Sequence, residues 1–165
     1  MRVAFPLLFT VAPVILASLA GCATGGSGQK FSVERTVEAP ADRALVYVYR
    51  KNAQPTMWSA TVIADGREVA SLSQGDYMIV TVPEGARHFG AHWAALSGQK
   101  DSSLDLDVKA GKTYFVELVG LSQMTGVSSD SLGVKLHYRI GSGMFEHGPE
   151  AKDEMALCCK AVSAN

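Results

Sequence analysis

The sequence predicts an all-β domain: an antiparallel sandwich of two sheets, with about eight strands and a short C-terminal helix. From residue 44 onward, short apolar or alternating segments are separated by turn residues, chiefly Gly, Pro, Asp and Ser. Helical spacing of apolar residues begins only after residue 148. Because no helix is expected between the strands, sequence neighbours should pair antiparallel and form two packed sheets.

Each strand is predicted from its apolar pattern. Residues 44–50 are apolar on both faces, which favours an inner strand. Asp65-Gly66 is a strong signal for a tight hairpin turn. We also expect a short edge strand at residues 31–37 and a polar loop at residues 120–130. The eight predicted strands are residues 44–50, 58–64, 67–72, 77–82, 87–93, 104–108, 113–119 and 132–140.

The C-terminal segment has a different periodicity. Residues 148–150, Gly-Pro-Glu, are typical of a helix start, with proline where its missing N–H costs little. Ala151, Met155, Cys158 or Cys159, and Val162 then recur at helical spacing. We expect this helix to pack over one edge or open end of the sandwich.

The first 21 residues have the features of a secretory signal peptide. Arg2 precedes an apolar run to Leu19, and the small residues Ala20 and Gly21 precede Cys22. This arrangement resembles the lipobox of bacterial lipoproteins, in which the chain is cut before the cysteine and the thiol is diacylated. The resemblance implies cleavage between Gly21 and Cys22 and a lipid anchor on Cys22.

Two other interpretations of this segment stay open. A membrane-spanning helix needs about 20 mostly apolar residues, but Pro6 and Pro13 interrupt this run. In an ordinary cleaved signal, Cys22 would be incidental. In the sorting rule of enterobacterial lipoproteins, an Asp after the cysteine retains the protein in the inner membrane. Here that residue is Ala23, so the resemblance implies the outer membrane and a domain facing the periplasm.

Three regions are predicted: a signal peptide at residues 1–21, the lipidated cysteine with a flexible tether at 22–42, and the sandwich with its helix at 43–162. Removing residues 1–21, whose only charged side chain is Arg2, leaves 144 residues with 14 basic and 16 acidic side chains, a net charge of −2. This balance does not fit a nucleic-acid partner, which would require clustered Lys and Arg. Membrane contact is expected through the acyl chains on Cys22.

Residues 44–117 resemble a bacterial lipoprotein family known only as a domain of unknown function. The shared pattern consists of residues 44–50, Asp65-Gly66, the Leu72, Gly75 and Tyr77 turn, and residues 83–88 and 110–116. The chain is also similar to the PEGA family of extracytoplasmic β modules. The tetrapeptide Pro-Glu-Gly-Ala, from which that family takes its name, occurs at residues 83–86. The resemblance implies a small extracytoplasmic, Ig-like β-sandwich and carries over no catalytic residues.

His88 and His92 are the first candidates for a metal site. Four residues apart on a strand, they lie on one face about 13 Å apart, which is too far for one ion. With Phe89 and Trp93 pointing inward, both histidines should face solvent. The acids Asp101, Asp105 and Asp107 are similarly expected on a solvated face, because calcium needs about 6–8 oxygen ligands in a looped arrangement. No metal or cofactor is therefore expected.

Cys158 and Cys159 are adjacent. Their α-carbons are separated by one peptide unit, about 3.8 Å, below the usual disulfide range of about 4.4–6.8 Å. The favoured interpretation is one cysteine packed as a small apolar residue and one partly exposed. The alternative is a redox role or an intermolecular disulfide, because the periplasm is oxidising.

The pattern of residues does not predict an enzyme. Gly141-Ser142-Gly143 is too short for a nucleophile elbow, and no Gly-rich loop follows a strand and opens a helix. We expect a non-catalytic binding or structural module that engages an envelope protein through a sheet edge or through residues 120–130. The alternative is a carbohydrate or peptidoglycan binder that uses an exposed Trp58, and a hydrolytic enzyme is the third hypothesis.

Overall fold

The structure is a computed structural model that describes residues 28–51, 57–131 and 133–162. Within these residues the chain forms nine strands, one α-helix and two short 3-10 helices, at Val33–Arg35 and Ala95–Ser97. The strands are β1 (Arg43–Arg50), β2 (Ala60–Ala64), β3 (Arg67–Leu72), β4 (Asp76–Pro83), β5 (Gly85–Trp93), β6 (Ser102–Val108), β7 (Thr113–Asp130), β8 (Gly133–His147) and β9 (Lys160–Ala161). The helix is α1 (Ala151–Cys158).

Two sheets confirm the predicted all-β sandwich. The five-stranded sheet has the order β8-β7-β1-β4-β9, and the four-stranded sheet has the order β3-β2-β5-β6. Most neighbours are antiparallel as expected, but β1 pairs parallel with β7, and β4 pairs parallel with β9. Between β1 and β7 the chain passes repeatedly through the other sheet, so no hairpin constrains their relative direction.

Strand β1 is buried on both faces, as its sequence predicts. Val46 and Val48 lie in the core between the two sheets. Tyr47 and Tyr49 point to the opposite side, where they pack in a second cluster with Met155 of α1. The helix therefore covers the outer face of the five-stranded sheet. The expected position of the helix, over an edge or open end, is wrong because the tyrosine face of β1 requires its own apolar cover.

The described part of the predicted tether lies against the domain. Phe31 is 5% exposed and belongs to the second cluster, and Lys30 forms an isolated antiparallel bridge with Lys160. The predicted edge strand at residues 31–37 is wrong, because Val33–Arg35 is a 3-10 helix. From residue 28 onward, the segment predicted as a flexible tether is thus held in place by the ring of Phe31.

The Asp65-Gly66 hairpin is confirmed, with positive φ at both residues, 48° and 79°. The predicted loop at residues 120–130 is wrong. These residues continue β7, which pairs with β8 from Phe115↔His147 to Asp130↔Gly133. The Gly and Ser content of this segment suggested a loop, but pairing with β8 satisfies its backbone groups and overrides that local preference.

The helix also ends earlier than its spacing suggested. It covers Ala151–Cys158, and Cys159 already has an extended backbone. The following residues form β9 beside the start of β4. Val162 therefore packs against the inter-sheet core from outside the helix.

Arg50, at the end of β1, is a fully buried charge. Its Nη1 donates hydrogen bonds to the carbonyls of Trp58, at 2.6 Å, and Leu72, at 3.2 Å. The guanidinium also lies 4.7 Å from the ring centroid of Trp93. Burial lowers the pKa of Arg50, and the carboxylate of Asp76 opposes this shift. One side chain thus ties β1 to β3, to β5 and to Trp58, which precedes β2.

Replacing this side chain should be costly. Arg50→Met leaves the carbonyls of Trp58 and Leu72 without this donor and the buried Asp76 without a neighbouring cation, so we expect a loss of about 3–5 kcal/mol in the free energy of unfolding. Urea denaturation of the full chain measures it. Arg43→Met, at the exposed opposite end of β1, is the matched control and should cost less than about 1 kcal/mol. Equal losses for both variants would show that the buried contacts of Arg50 are not stabilising.

Candidate functional site

The outer half of the β7–β8 hairpin is the candidate binding element. We call it the arm: residues 120–130 of β7 and residues 133–142 of β8. Strand β7 is paired with β1 only from Thr113 to Glu117. Leu118 and Met144, just before the arm, are still buried in the core. Beyond them β7 and β8 are paired with each other along the whole arm, so the arm is a two-stranded ribbon projecting from the sandwich.

One face of the arm is apolar although it is exposed. Cross-strand pairs such as Met124↔Tyr138 and Val127↔Leu136 lie on it. A register shift between Met124 and Gly126 keeps Val127 on this same face. The apolar side chains of this face are those of Met124, Val127, Val134, Leu136, Tyr138 and Ile140, which are 43–69% exposed; Ser122 and Ser129 lie on the same face. It continues the row formed by Leu118 and Met144 in the core.

The opposite face of the arm is polar except for Leu121 near its base. Its described side chains include Gln123, Ser128, Asp130, Lys135, His137 and Arg139, all exposed. Ser128 and the His137 ring are hydrogen-bonded at 2.8 Å, and Lys135 forms an ion pair with Asp130. Alternation along both strands thus produces an amphipathic ribbon.

The loop between β5 and β6 holds the base of the arm. The Gln99 side-chain amide donates a hydrogen bond to the Leu121 carbonyl at 3.0 Å, and the Ser142 hydroxyl donates to the Lys100 carbonyl. Gly98 has a φ of +71°, and a Cβ there would lie 3.2 Å from Ile140. These contacts fix the base and leave the outer part of the apolar face uncovered by described residues.

The strand histidines face solvent, as expected. His88 and His92 have side chains 54% and 59% exposed, and each is paired with an acid. His88 lies 2.6 Å from Asp105, and His92 lies 2.9 Å from Asp101. Among the residues that the structure describes, no cluster of His, Cys, Asp and Glu is arranged to hold a metal ion.

A polar cluster between α1 and the five-stranded sheet was not predicted from the sequence. Lys51 Nζ lies 2.7 Å from Glu154 of α1 and 3.8 Å from the buried Glu117. His147 lies 3.0 Å from the other oxygen of Glu117. The hydrogen bond between Lys51 and Glu154 raises the pKa of Lys51 and lowers that of Glu154. The only sequence signal was a lone acid, Glu117, in an otherwise apolar strand.

This cluster ties elements together. Lys51 is within ion-pair distance of both Glu117 and Glu154, and burial raises the pKa of Tyr49, whose hydroxyl donates to Glu154 at 3.4 Å. An open depression of about 600 Å³ lies beside it, lined by Lys51, Gln74, Gly75, Glu154, Leu157 and Cys158. The contacts join α1 to β1 and β7, which supports a structural role.

Cys158 and Cys159 are bonded to each other in a vicinal disulfide. The expected burial is confirmed, since Cys159 is fully buried and Cys158 half-buried. The expectation of two free thiols is wrong. It relied on the close spacing of adjacent α-carbons, here 3.7 Å, and that spacing did not prevent the bond.

Gly21, Cys22 and Trp58 are the other positions for which the sequence predicted a role. Gly21 and Cys22 lie outside the described residues, as do residues 52–56 beside Trp58. Trp58 itself is half-buried, and its carbonyl accepts the hydrogen bond from Arg50. Within residues 28–51, 57–131 and 133–162, no helix is long and apolar enough to cross a membrane.

Comparison with models of known protein families, with curated proteins and with solved structures finds no match to this chain. The resemblance to a lipoprotein family and to PEGA modules therefore stays a prediction. The function therefore has to be inferred from the residues of this chain, and the exposed apolar face of the arm is the feature that points to binding.

The pairing of His92 with Asp101 should be visible in a titration. The hydrogen bond and charge of Asp101 raise the pKa of His92 above 6.5, and the same contact lowers the pKa of Asp101. A raised histidine pKa favours the folded state below the unfolded value, and this contribution is lost as pH rises through the folded pKa. In NMR titrations, Asp101→Asn should bring the His92 midpoint back towards 6.5, whereas Asp107→Asn should leave it unchanged. If the His92 midpoint in Asp101→Asn equals that of the wild type, the contact between His92 and Asp101 is contradicted.

The two cysteines are bonded to each other, so they are not available to link two chains. The chain should migrate as a monomer on non-reducing denaturing gels. Cys158→Ser with Cys159→Ser is the control and should migrate identically. A dimer band that disappears in this double variant would show intermolecular pairing.

Proposed function

We propose that this chain is a lipid-anchored lipoprotein of the bacterial cell envelope. It acts as a non-catalytic binding module that faces the periplasm from the outer membrane. The signal-like residues 1–21, the small residues before Cys22 and the absence of Asp at position 23 support the anchor and its location. The all-β sandwich that follows is a common architecture for a compact extracytoplasmic module.

The described acid–base pairs support a role without catalysis. Lys51 and Glu154 bridge the end of β1 to α1, while His88 and His92 are hydrogen-bonded to Asp105 and Asp101 on an exposed face of the other sheet. Such pairs hold elements together or stay solvated. Catalytic groups usually converge in an enclosed pocket, whereas the depression that Lys51 and Glu154 line is open to solvent.

The arm is the observation that carries the binding role. A two-stranded ribbon is marginally stable alone in water, and six apolar side chains on one of its faces are 43–69% exposed. A contiguous exposed apolar patch marks an interaction surface. The ribbon adds nothing to the inter-sheet core beyond Leu118 and Met144, so its apolar face is explained by a component of the envelope that it contacts.

The carbohydrate- or peptidoglycan-binding alternative depended on Trp58 as an exposed stacking platform. Trp58 is half-buried, and the only contact of its backbone carbonyl that is described is with Arg50. A half-buried ring offers less surface for stacking than an exposed one, so the arm supports the leading proposal more directly.

The anchor is tested by metabolic labelling with an alkyne analogue of palmitate. The wild-type chain should be labelled at Cys22, and Cys22→Ala should lose the label completely and retain residues 1–21, because acylation precedes cleavage. The matched control is Cys158→Ala with Cys159→Ala, which should be labelled like the wild type. Equal labelling of Cys22→Ala and wild type would refute the lipid anchor.

A further inference from the structure

We propose that the apolar face of the arm packs against the same face of a second copy of this chain. The two arms run antiparallel and form a two-layered β unit about a two-fold axis. This inference names the component that the arm contacts, so it rests on the binding role proposed for the arm. It does not depend on the lipid anchor.

The arm continues one layer of the sandwich beyond the end of the other layer. Leu118 and Met144 at its root belong to the core between the two sheets, which lie about 10 Å apart. Their row continues along the arm on the same side, where its apolar side chains are 43–69% exposed. The β5–β6 loop, at this end of the four-stranded sheet, touches the base of the face at Ser142 and beside Ile140. A cover for the outer part therefore has to lie in the layer of the four-stranded sheet, beyond the end of that sheet.

A second arm fits that position. Turning one arm onto the other about a two-fold axis places each arm in the layer of the other copy's four-stranded sheet. The arms have to run antiparallel, because in a parallel pair the four-stranded sheet of one copy would occupy the layer of the other copy's five-stranded sheet. In the antiparallel pair, the tip of each arm lies beside the β5–β6 loop of the other copy. Leu96 in that loop is 85% exposed and adds an apolar contact for the tip.

The face is complementary to itself. Its exposed part consists of cross-strand pairs, which are, in order from base to tip, Ser122↔Ile140, Met124↔Tyr138, Val127↔Leu136 and Ser129↔Val134. In the antiparallel pair, the base of one arm lies over the tip of the other, so serine meets serine and apolar side chains meet apolar side chains. None of these side chains is charged, so the contact brings no like charges together. Lys135 and Arg139 lie on the opposite face and stay in water.

The area of the face also fits a stable dimer. The six apolar residues of the face and Leu96 each present roughly 100 Å², which amounts to on the order of 700 Å² per copy. A standard protein interface buries about 800 Å² per partner, and interfaces between identical chains are more apolar than those between different proteins. Pairing also joins two marginal two-stranded ribbons into a four-stranded unit with a buried apolar face, which meets the usual requirement for stability.

Photo-crosslinking from two adjacent positions tests the contact. A benzophenone amino acid replaces Leu136 on the apolar face or His137 on the polar face of the full chain, and equal amounts of light and isotopically heavy protein are mixed in detergent micelles. We expect several-fold more adduct of twice the mass from position 136 than from position 137, because only position 136 faces the second copy. Pairs of one light and one heavy peptide should join position 136 to the region of Tyr138 in the other copy.

Two variants set the expected size of the effect. Leu136→Ser should raise the dissociation constant of the dimer about 100-fold, because each of the two copies loses one buried leucine that is worth about tenfold. His137→Ser on the polar face is the matched control and should leave the constant unchanged. Sedimentation equilibrium of the full chain in density-matched detergent micelles measures both constants.

Engineered cysteines test the antiparallel order of the arms. Chains with Val134→Cys and chains with Ile140→Cys should form an intermolecular disulfide when they are mixed, because the tip of one arm lies over the base of the other. Either variant alone should form little, since identical positions of the two copies are about 20 Å apart. Disulfides formed as readily within each variant alone would contradict this order.

Other outcomes would overturn the inference. Equal adducts from positions 136 and 137, or a wild-type chain that sediments as a monomer, would show that the arms do not pair. Crosslinks in cells from position 136 chiefly to lipid or to a different protein would assign the face to that component, and a protein partner would leave the binding role of the arm intact. Mass spectrometry of Cys22 separates the inference from the anchor: an acylated monomer refutes only the dimer, whereas an unacylated dimer refutes only the anchor.

Discussion

The two-sided burial of β1 is the constraint on which the rest of the structure depends. Its valines require a second sheet on one side, and its tyrosines require a separate apolar cover on the other. The second cover is assembled from distant parts of the chain, Phe31 before the first strand and Met155 in α1. The segment before β1 and the segment after β8 are therefore drawn onto the outer face of the sheet, where Lys51 and Glu154 add an ion pair.

The arm follows from the limited length of β1. Strand β1 offers β7 a partner only as far as Tyr49, which pairs with Glu117. After that point β7 can pair only with β8 among the described strands, and the two leave the sheet as a ribbon. The apolar row that begins with Leu118 continues outward after the opposing sheet has ended. Alternation of apolar and polar residues normally indicates a strand with one buried face, but here the apolar side chains are exposed.

Local signals predicted most of the sandwich, and non-local pairings account for the errors. The apolar run of β1 and the Asp65-Gly66 turn act within a few residues, so the sequence alone located them. The parallel neighbours β1 and β7 are brought together by the whole intervening chain. For the candidate site, alternation after residue 132 correctly indicated a strand with two unlike faces. It could not show that the apolar face lies outside the core, because periodicity reveals which residues share a face but not what covers that face.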